Sequence, residues 1–206
     1  MTLTAPLYML RHGETAWNTE RRMQGTKNSP LTERGRAQAL AMGRALKVEL
    51  ERVPGPTIFL RSPLGRVGET SEIIGRALGL DPAGWRDDPR LAELSYGQWE
   101  GFSWKEIEVT HPTALTDWRA DPHGYSPPGG ETHAELRQRS AAVLADIAAS
   151  ATRTVVVGHG VSGAVLRGLN LGLDAKAMFV LEKPQDAFFR LHDGREERIL
   201  AALETA

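Results

Sequence analysis

Short, continuous apolar runs separated by longer stretches of helical periodicity constrain this chain more than any other feature. Leu7-Tyr8-Met9-Leu10, Thr57-Ile58-Phe59-Leu60 and Thr154-Val155-Val156-Val157 each have the length of a strand, and none alternates apolar with polar. Strands that bury both faces belong in parallel sheets covered by helices on either side. The stretches between them read as helices. Pro30-Leu31-Thr32-Glu33 opens one, with Thr32 as N-cap and Glu33 favouring its first turn. Leu40, Gly43, Leu46, Leu50 and Val53 recur every three to four residues and predict its apolar face; Pro54-Gly55-Pro56 stops it. A second helix starts at Ser62-Pro63, carries Val67, Thr70, Ile73, Ile74, Ala77 and Leu78, and ends at Gly79. Residues 131–150, with Leu136, Ser140, Val143 and Ile147 on one stripe, predict a third, and residues 161–169 a fourth. Residues 187–191 and 198–202 predict a late hairpin with Asp193-Gly194 near its turn.

This alternation predicts an α/β fold: a three-layer sandwich with a mostly parallel central sheet flanked by helices. Residues 81–130 break the pattern. They hold six of the twelve prolines and four of the five tryptophans, and are expected to form a small cap insertion over one end of the sheet. A length of 206 residues otherwise suits a single domain over residues 1–206. The 25 Lys+Arg against 26 Asp+Glu leave a formal charge of −1, so neither nucleic acid nor a membrane is an expected partner. With no cysteine, a disulfide framework, a thiolate metal site and a cysteine nucleophile are all excluded. Met1 to Pro6 lack the basic start and apolar stretch of a secretory signal, which makes a cytoplasmic location the expectation. Monomer and homodimer both stay open.

Ligands of open α/β sheets bind at the carboxyl ends of strands. Three strands here end in polar residues of one kind. The first runs into Arg11-His12-Gly13, the second is followed by Arg61 and Arg66, and the third ends in Gly158-His159-Gly160. If the strands are parallel neighbours, two histidines and two or three arginines converge at one edge. Such a cluster suits a phosphate dianion, for which arginine supplies bidentate donors. Gly160-Val161-Ser162-Gly163-Ala164 offers a remote alternative. It nearly matches the nucleophile elbow of serine hydrolases, with Ser162 as nucleophile and His192 downstream, but it leaves Arg11, His12 and Arg66 unexplained.

Further blocks sharpen the reading. Leu10-Arg11-His12-Gly13-Glu14-Thr15 is followed by Trp17-Asn18, Met23-Gln24-Gly25 and Ser29-Pro30-Leu31-Thr32-Glu33-Arg34-Gly35. Then come Ser62-Pro63-Leu64-Gly65-Arg66, Leu91-Ala92-Glu93-Leu94-Ser95-Tyr96-Gly97, Trp99-Glu100-Gly101, Pro128-Gly129-Gly130-Glu131 and Gly158-His159-Gly160. In this order they resemble the signature of the histidine phosphatase superfamily, which includes the cofactor-dependent phosphoglycerate mutases. The resemblance covers about residues 7–165.

The resemblance implies a phosphomonoesterase that acts on small phosphorylated metabolites through a phosphohistidine intermediate, with no metal and no cofactor. A cofactor-dependent phosphoglycerate mutase is the alternative. His12 matches the family nucleophile; Arg11, Arg66 and His159 match the residues that grip the phosphoryl group; Glu93 matches the proton donor. Asn18, Gln24, Gly25 and Gly160 match positions that line the substrate site. Trp99-Glu100-Gly101 and Pro128-Gly129-Gly130-Glu131 look more like the phosphatase branch, whereas Lys105 falls near where mutases place a substrate-binding lysine. Arg119 stands alone where mutases tend to show an adjacent pair. Asn28, where relatives often carry Asp, is expected to lie outside the chemistry. The remaining histidines, 111, 123, 133 and 192, are expected at the surface.

Overall fold

The computed structural model describes residues 3–203. In chain order its strands and α-helices are β1 (Leu7–Arg11), α1 (Ala16–Thr19), α2 (Glu33–Arg52), β2 (Thr57–Arg61), α3 (Gly65–Leu78), β3 (Trp85–Asp87), α4 (Trp104–Thr110), α5 (Pro112–Ala120), α6 (His133–Ser150), β4 (Arg153–Gly158), α7 (Gly160–Asn170), α8 (Ala175–Val180), β5 (Ala187–His192) and β6 (Arg195–Leu200). The six strands form one sheet in the order β3-β2-β4-β1-β5-β6. The first four in that order run parallel, while β5 is antiparallel to both β1 and β6.

The apolar runs divide their side chains between two layers, because successive strand residues face opposite ways. Leu7, Met9, Leu60 and Val156 pack with Val143, Leu144 and Ile147 of α6 and Leu166 of α7. Tyr8, Leu10, Val155 and Val157 pack with Met42 and Leu46 of α2 and with Val67 and Ile74 of α3. Burying one such aliphatic side chain is worth about 1.5–3 kcal/mol, so both helix pairs are held chiefly by these contacts. Thr32 caps α2 by accepting a hydrogen bond from the Gly35 N–H, and Gly79 closes α3 in the left-handed conformation.

Five sequence expectations shift. The second helix, expected from Ser62-Pro63, begins at Gly65 with Leu64 as its N-cap. The apolar face of α2 is formed by Ala39, Met42, Gly43 and Leu46, while Leu40 and Val53 are exposed. The third helix begins at His133 rather than at residue 131, where Thr132 and Glu135 close a reciprocal capping box. In the hairpin, β6 starts three residues earlier than expected; Asp193 and Gly194 both have positive φ, as a two-residue primed turn requires. The region 81–130 is not all cap. Its Trp85–Asp87 segment joins the sheet as edge strand β3, and Trp85 packs edge-on against Phe59 in the core. The rest covers the sheet end around a cluster of Trp99, Ile107 and Leu115, against which Met23, Tyr96, Phe102 and Trp118 pack.

Candidate active site

Parallel pairing of β1, β4 and β2 places their carboxyl ends on one edge, with Arg11 opposite Gly158 and Arg61 opposite Val157. The strand-to-loop turns are tied together there. His12 N–H donates to the Gly158 carbonyl (3.0 Å) and Ser62 N–H to the Val157 carbonyl (3.1 Å). The ring centroids of His12 and His159, both buried, are 5.3 Å apart.

The partners of His12 fix its protonation. Its Nδ1 lies 2.8 Å from the Gly13 carbonyl oxygen, which can only accept, so Nδ1 carries the proton. Its Nε2 lies 3.2 Å from Arg66 Nε, which can only donate, so Nε2 offers a lone pair. Only the neutral Nδ1–H tautomer satisfies both. Burial pushes the His12 pKa well below its ordinary 6.5, with Arg11 and Arg66 as the next causes. The arginines add to the fall, but desolvation is the larger effect. His159 is pushed well down in the same way, by burial first and then by Arg66, His12 and Arg11. Its Nε2 is 2.7 Å from Ser62 Oγ. Its Nδ1 and Arg11 Nε are buried polar atoms with no partner among the described residues, the kind of group that a phosphoryl oxygen would satisfy.

Arg66, on the first turn of α3, is 1 % exposed. Its Nη1 and Nη2 donate to the carbonyls of Lys27 (2.6 Å) and Gly25 (2.8 Å). Burial pulls its pKa from 12.5 to about 10, with nearby Arg11 adding to the fall and Glu93 opposing it. Asn28 reaches this site after all: its Oδ1 accepts from the Arg66 backbone N–H (2.8 Å), where Leu64 supplies no side-chain cap to α3. Gly25 has φ +52°, and a Cβ there would overlap the Glu100 carboxylate. Glu100 in turn accepts from the N–H groups of Thr26 (2.9 Å), Lys27 (3.2 Å) and Tyr96 (3.0 Å), joining the Gly25 loop to the acid loop, residues 91–97 around Glu93.

These residues surround a cleft of about 170 Å³. Arg11, His12, Asn18, Gln24, Gly25, Arg66, Glu93 and Gly160 line it, and His159 lies beside His12. Gly160 packs beside Arg11, where a Cβ would just reach van der Waals contact with the guanidinium at 3.4 Å. Gln24 Nε2 donates to Thr15 Oγ1 (2.6 Å), and Asn18 closes a capping box with Thr15 at the start of α1. The Glu93 carboxylate is buried at the first turn of α7. Oε1 accepts from the N–H groups of Leu94 (3.0 Å) and Ser162 (2.8 Å), and Oε2 from that of Val161 (2.9 Å).

Sequence reasoning missed two contributors from the chain before β5. Gln185 Nε2 donates to the His12 carbonyl (3.1 Å) and to Asn18 Oδ1 (3.2 Å). Since Asn18 Oδ1 also accepts from Thr15 N–H, the carbonyl end of that amide is committed and its NH₂ end is the free donor. Lys183 lines the cleft with its ammonium on the Phe179 and Leu181 carbonyls, and Arg11 donates to its carbonyl. No local pattern marks either residue.

Other candidates lie elsewhere. Arg61 pairs with Asp87 (2.6 Å). Lys105 is exposed on α4, outside the cleft lining, and Arg119 pairs with Glu108 (3.3 Å). Ser162 offers Glu93 its backbone N–H, and His192 follows Leu191, which pairs with Leu7 at the opposite edge of β1. The serine-hydrolase arrangement is therefore not assembled. His111, His123 and His133 are half-buried rather than exposed. Phe179 packs against the rings of His123 and His133, and burial with neighbouring His123 pushes the His133 pKa down to about 4.

The model of the histidine phosphatase superfamily (branch 1) matches residues 7–203, and the chain belongs to that family. Among its relatives is a probable phosphoglycerate mutase GpmB of Klebsiella pneumoniae (strain 342), 37% identical over 181 residues, which covers 83% of this chain and 77% of the relative. Among solved structures, a mycobacterial glucosyl-3-phosphoglycerate phosphatase in complex with VO3 superposes with a TM-score of 0.76 at 29% identity, over 98% of this chain and 100% of that one. A putative alpha-ribazole-5'-P phosphatase from Escherichia coli shares the fold, with a TM-score of 0.80 at 22% identity over 98% of both chains.

Proposed function

We propose that this chain is a metal-independent phosphomonoesterase of small phosphorylated metabolites that works through a phosphohistidine on His12. The observation that carries this reading is the tautomer of His12. A neutral imidazole with Nδ1–H held by Gly13 keeps the Nε2 lone pair unprotonated beside a cleft lined by Arg11, Arg66 and Glu93, and the lone pair is freed for attack once Arg66 Nε turns its N–H from Nε2 to a phosphoryl oxygen. Phosphoryl transfer asks mostly for positioning and charge stabilisation, which this arrangement supplies with cationic side chains.

In the first step His12 Nε2 attacks phosphorus in line and the ester P–O bond breaks. Arg11, Arg66, His159 and the Asn18 amide hold the equatorial oxygens. The leaving oxygen takes its proton from Glu93. Oε1 of Glu93 already accepts two hydrogen bonds and Oε2 only one, so Oε2 is the oxygen with a lone pair left for that proton. In the second step the Glu93 carboxylate removes a proton from water, whose oxygen attacks phosphorus. The P–N bond breaks, inorganic phosphate forms and His12 returns to its neutral state.

The relatives named as probable phosphoglycerate mutases favour a second reading, in which a phosphoryl group moves between positions of one phosphorylated acid. Exposed Lys105 and ion-paired Arg119 favour the phosphatase reading, since neither lines the cleft. A panel of phosphorylated metabolites, assayed in excess EDTA beside a 3-phosphoglycerate mutase assay, tests both. The phosphatase reading predicts phosphate release that outpaces isomerisation on every substrate. Isomerisation faster than release would establish the mutase, and activity lost to EDTA and restored by added metal would overturn the metal-independent chemistry.

A further inference from the structure

The carboxylate of Glu93 has its hydrogen bonds, but hydrogen bonds alone do not aim a side chain. Its direction depends on the backbone angles φ and ψ at residue 93. Those angles describe rotation of the two flanking peptide planes, one carrying the Ala92 carbonyl and the other the Glu93 carbonyl. A single guanidinium grips both. Arg139, on α6, donates from Nη1 to the Ala92 carbonyl (2.7 Å) and from Nη2 to the Glu93 carbonyl (3.1 Å). Nη1 also donates to the Arg90 carbonyl (2.7 Å), holding the chain two residues before Ala92.

The guanidinium is itself held. Glu131 takes Nε (2.6 Å) and Nη2 (2.7 Å) in a fork, and its own backbone N–H donates to the Ser95 carbonyl (2.9 Å). All five N–H donors of Arg139 are therefore in use. The pair is mostly buried, with side chains 19% and 18% exposed, so neither solvent screening nor side-chain freedom dissolves the fork. The clamp thus runs from the Pro128-Gly129-Gly130-Glu131 block, through α6, to the acid loop.

We propose that Arg139, braced by Glu131, is a positioning residue that sets the aim of the Glu93 carboxylate at the leaving oxygen. The proposal rests on the reading of Glu93 as proton donor. Lysine cannot replace the arginine, because a point ammonium has three donors and no planar fork. Loss of the clamp leaves His12, Arg11 and Arg66 where they are and misdirects only the proton.

Single-turnover phosphorylation of the enzyme by β-glycerol phosphate and by p-nitrophenyl phosphate separates these effects. The alkoxide needs the proton and p-nitrophenolate hardly does. Arg139→Lys should slow the alkyl phosphate about 10²-fold, the scale for a misplacement near 1 Å, and p-nitrophenyl phosphate less than about 3-fold. In a Glu93→Gln background it should add no further loss with the alkyl phosphate, because the group it aims is gone. Glu131→Gln, which keeps the size of the brace and removes the charge, should show the same leaving-group bias if Arg139→Lys does not fold. Equal losses on both substrates, or losses additive with Glu93→Gln, would overturn the positioning role. If Glu93→Gln alone treats both leaving groups alike, the proton-donor reading fails first and the proposal falls with it.

Discussion

Arg66→Ala probes the cost and the use of the cationic cradle together. Two opposing quantities decide what the fold loses. The guanidinium donates to the carbonyls of Gly25 and Lys27, and hydrogen bonds from a charged donor contribute about 1.5–3 kcal/mol each. Against this, a guanidinium whose pKa is drawn from 12.5 to about 10 has its charged form destabilised by about 3 kcal/mol. The net loss should be no more than about 3 kcal/mol, or roughly 2–4 °C of Tm per kcal/mol for a chain of this size. The rate should fall far more, by about 10²–10³ in kcat, as for removal of one preorganised donor. Scanning fluorimetry with and without inorganic phosphate, beside phosphate release, reads both quantities. Phosphate should raise the Tm of the wild type more than that of the variant, because an anion relieves the buried charge. A variant that keeps its rate within about 10-fold, or that gains as much Tm from phosphate as the wild type, would refute this reasoning.

Three further outcomes follow from the same geometry. Glu93→Gln should slow turnover of alkyl phosphates much more than phosphorylation by p-nitrophenyl phosphate, and should leave a burst of p-nitrophenol followed by slow dephosphorylation; stopped-flow absorbance reads both phases. The acid limb of kcat/KM should lie below pH 6.5, because burial, Arg11 and Arg66 depress the His12 pKa; in Arg66→Ala the limb should move up toward 6.5 as one cation is lost, which a pH–rate profile measures. A base whose folded pKa is depressed binds its proton first in the unfolded chain, so the His12 contribution to stability is lost as pH falls below 6.5. Gly25→Ala should lower both Tm and kcat, since its φ is +52° and its new Cβ meets Glu100; an unchanged melting curve would contradict that contact.

The elements that position the site were legible because each carries its own local signal. Strands β1 and β4 are buried apolar runs, β2 is an apolar run of which only Leu60 is fully buried, and Thr32 and Gly79 mark helix ends by capping chemistry. Strand β3 carried no such signal. It is three residues long, and only Trp85 is buried, so the residues around it read as cap. The charged edge strand β6, with no buried residue and a short primed turn before it, offered no periodicity to fix its start. The site divides along the same line. Residues next to strand ends, such as His12 and His159, were found because the topology gathers those ends. Gln185, Lys183 and Arg139 act from elements distant in sequence, through carbonyls that carry no side-chain identity, and Asn28 supports Arg66 in place of a local cap.

The central claim is that phosphoryl transfer passes through Nε2 of His12. Wild type mixed with ³²P-labelled p-nitrophenyl phosphate and quenched within one turnover should yield protein-bound label that is lost in acid, survives in base and maps by peptide sequencing to His12. His12→Asn should trap none, while Ser162→Ala should trap as much as the wild type. Label absent from the wild type during rapid turnover, or found on any residue other than His12, would contradict the account.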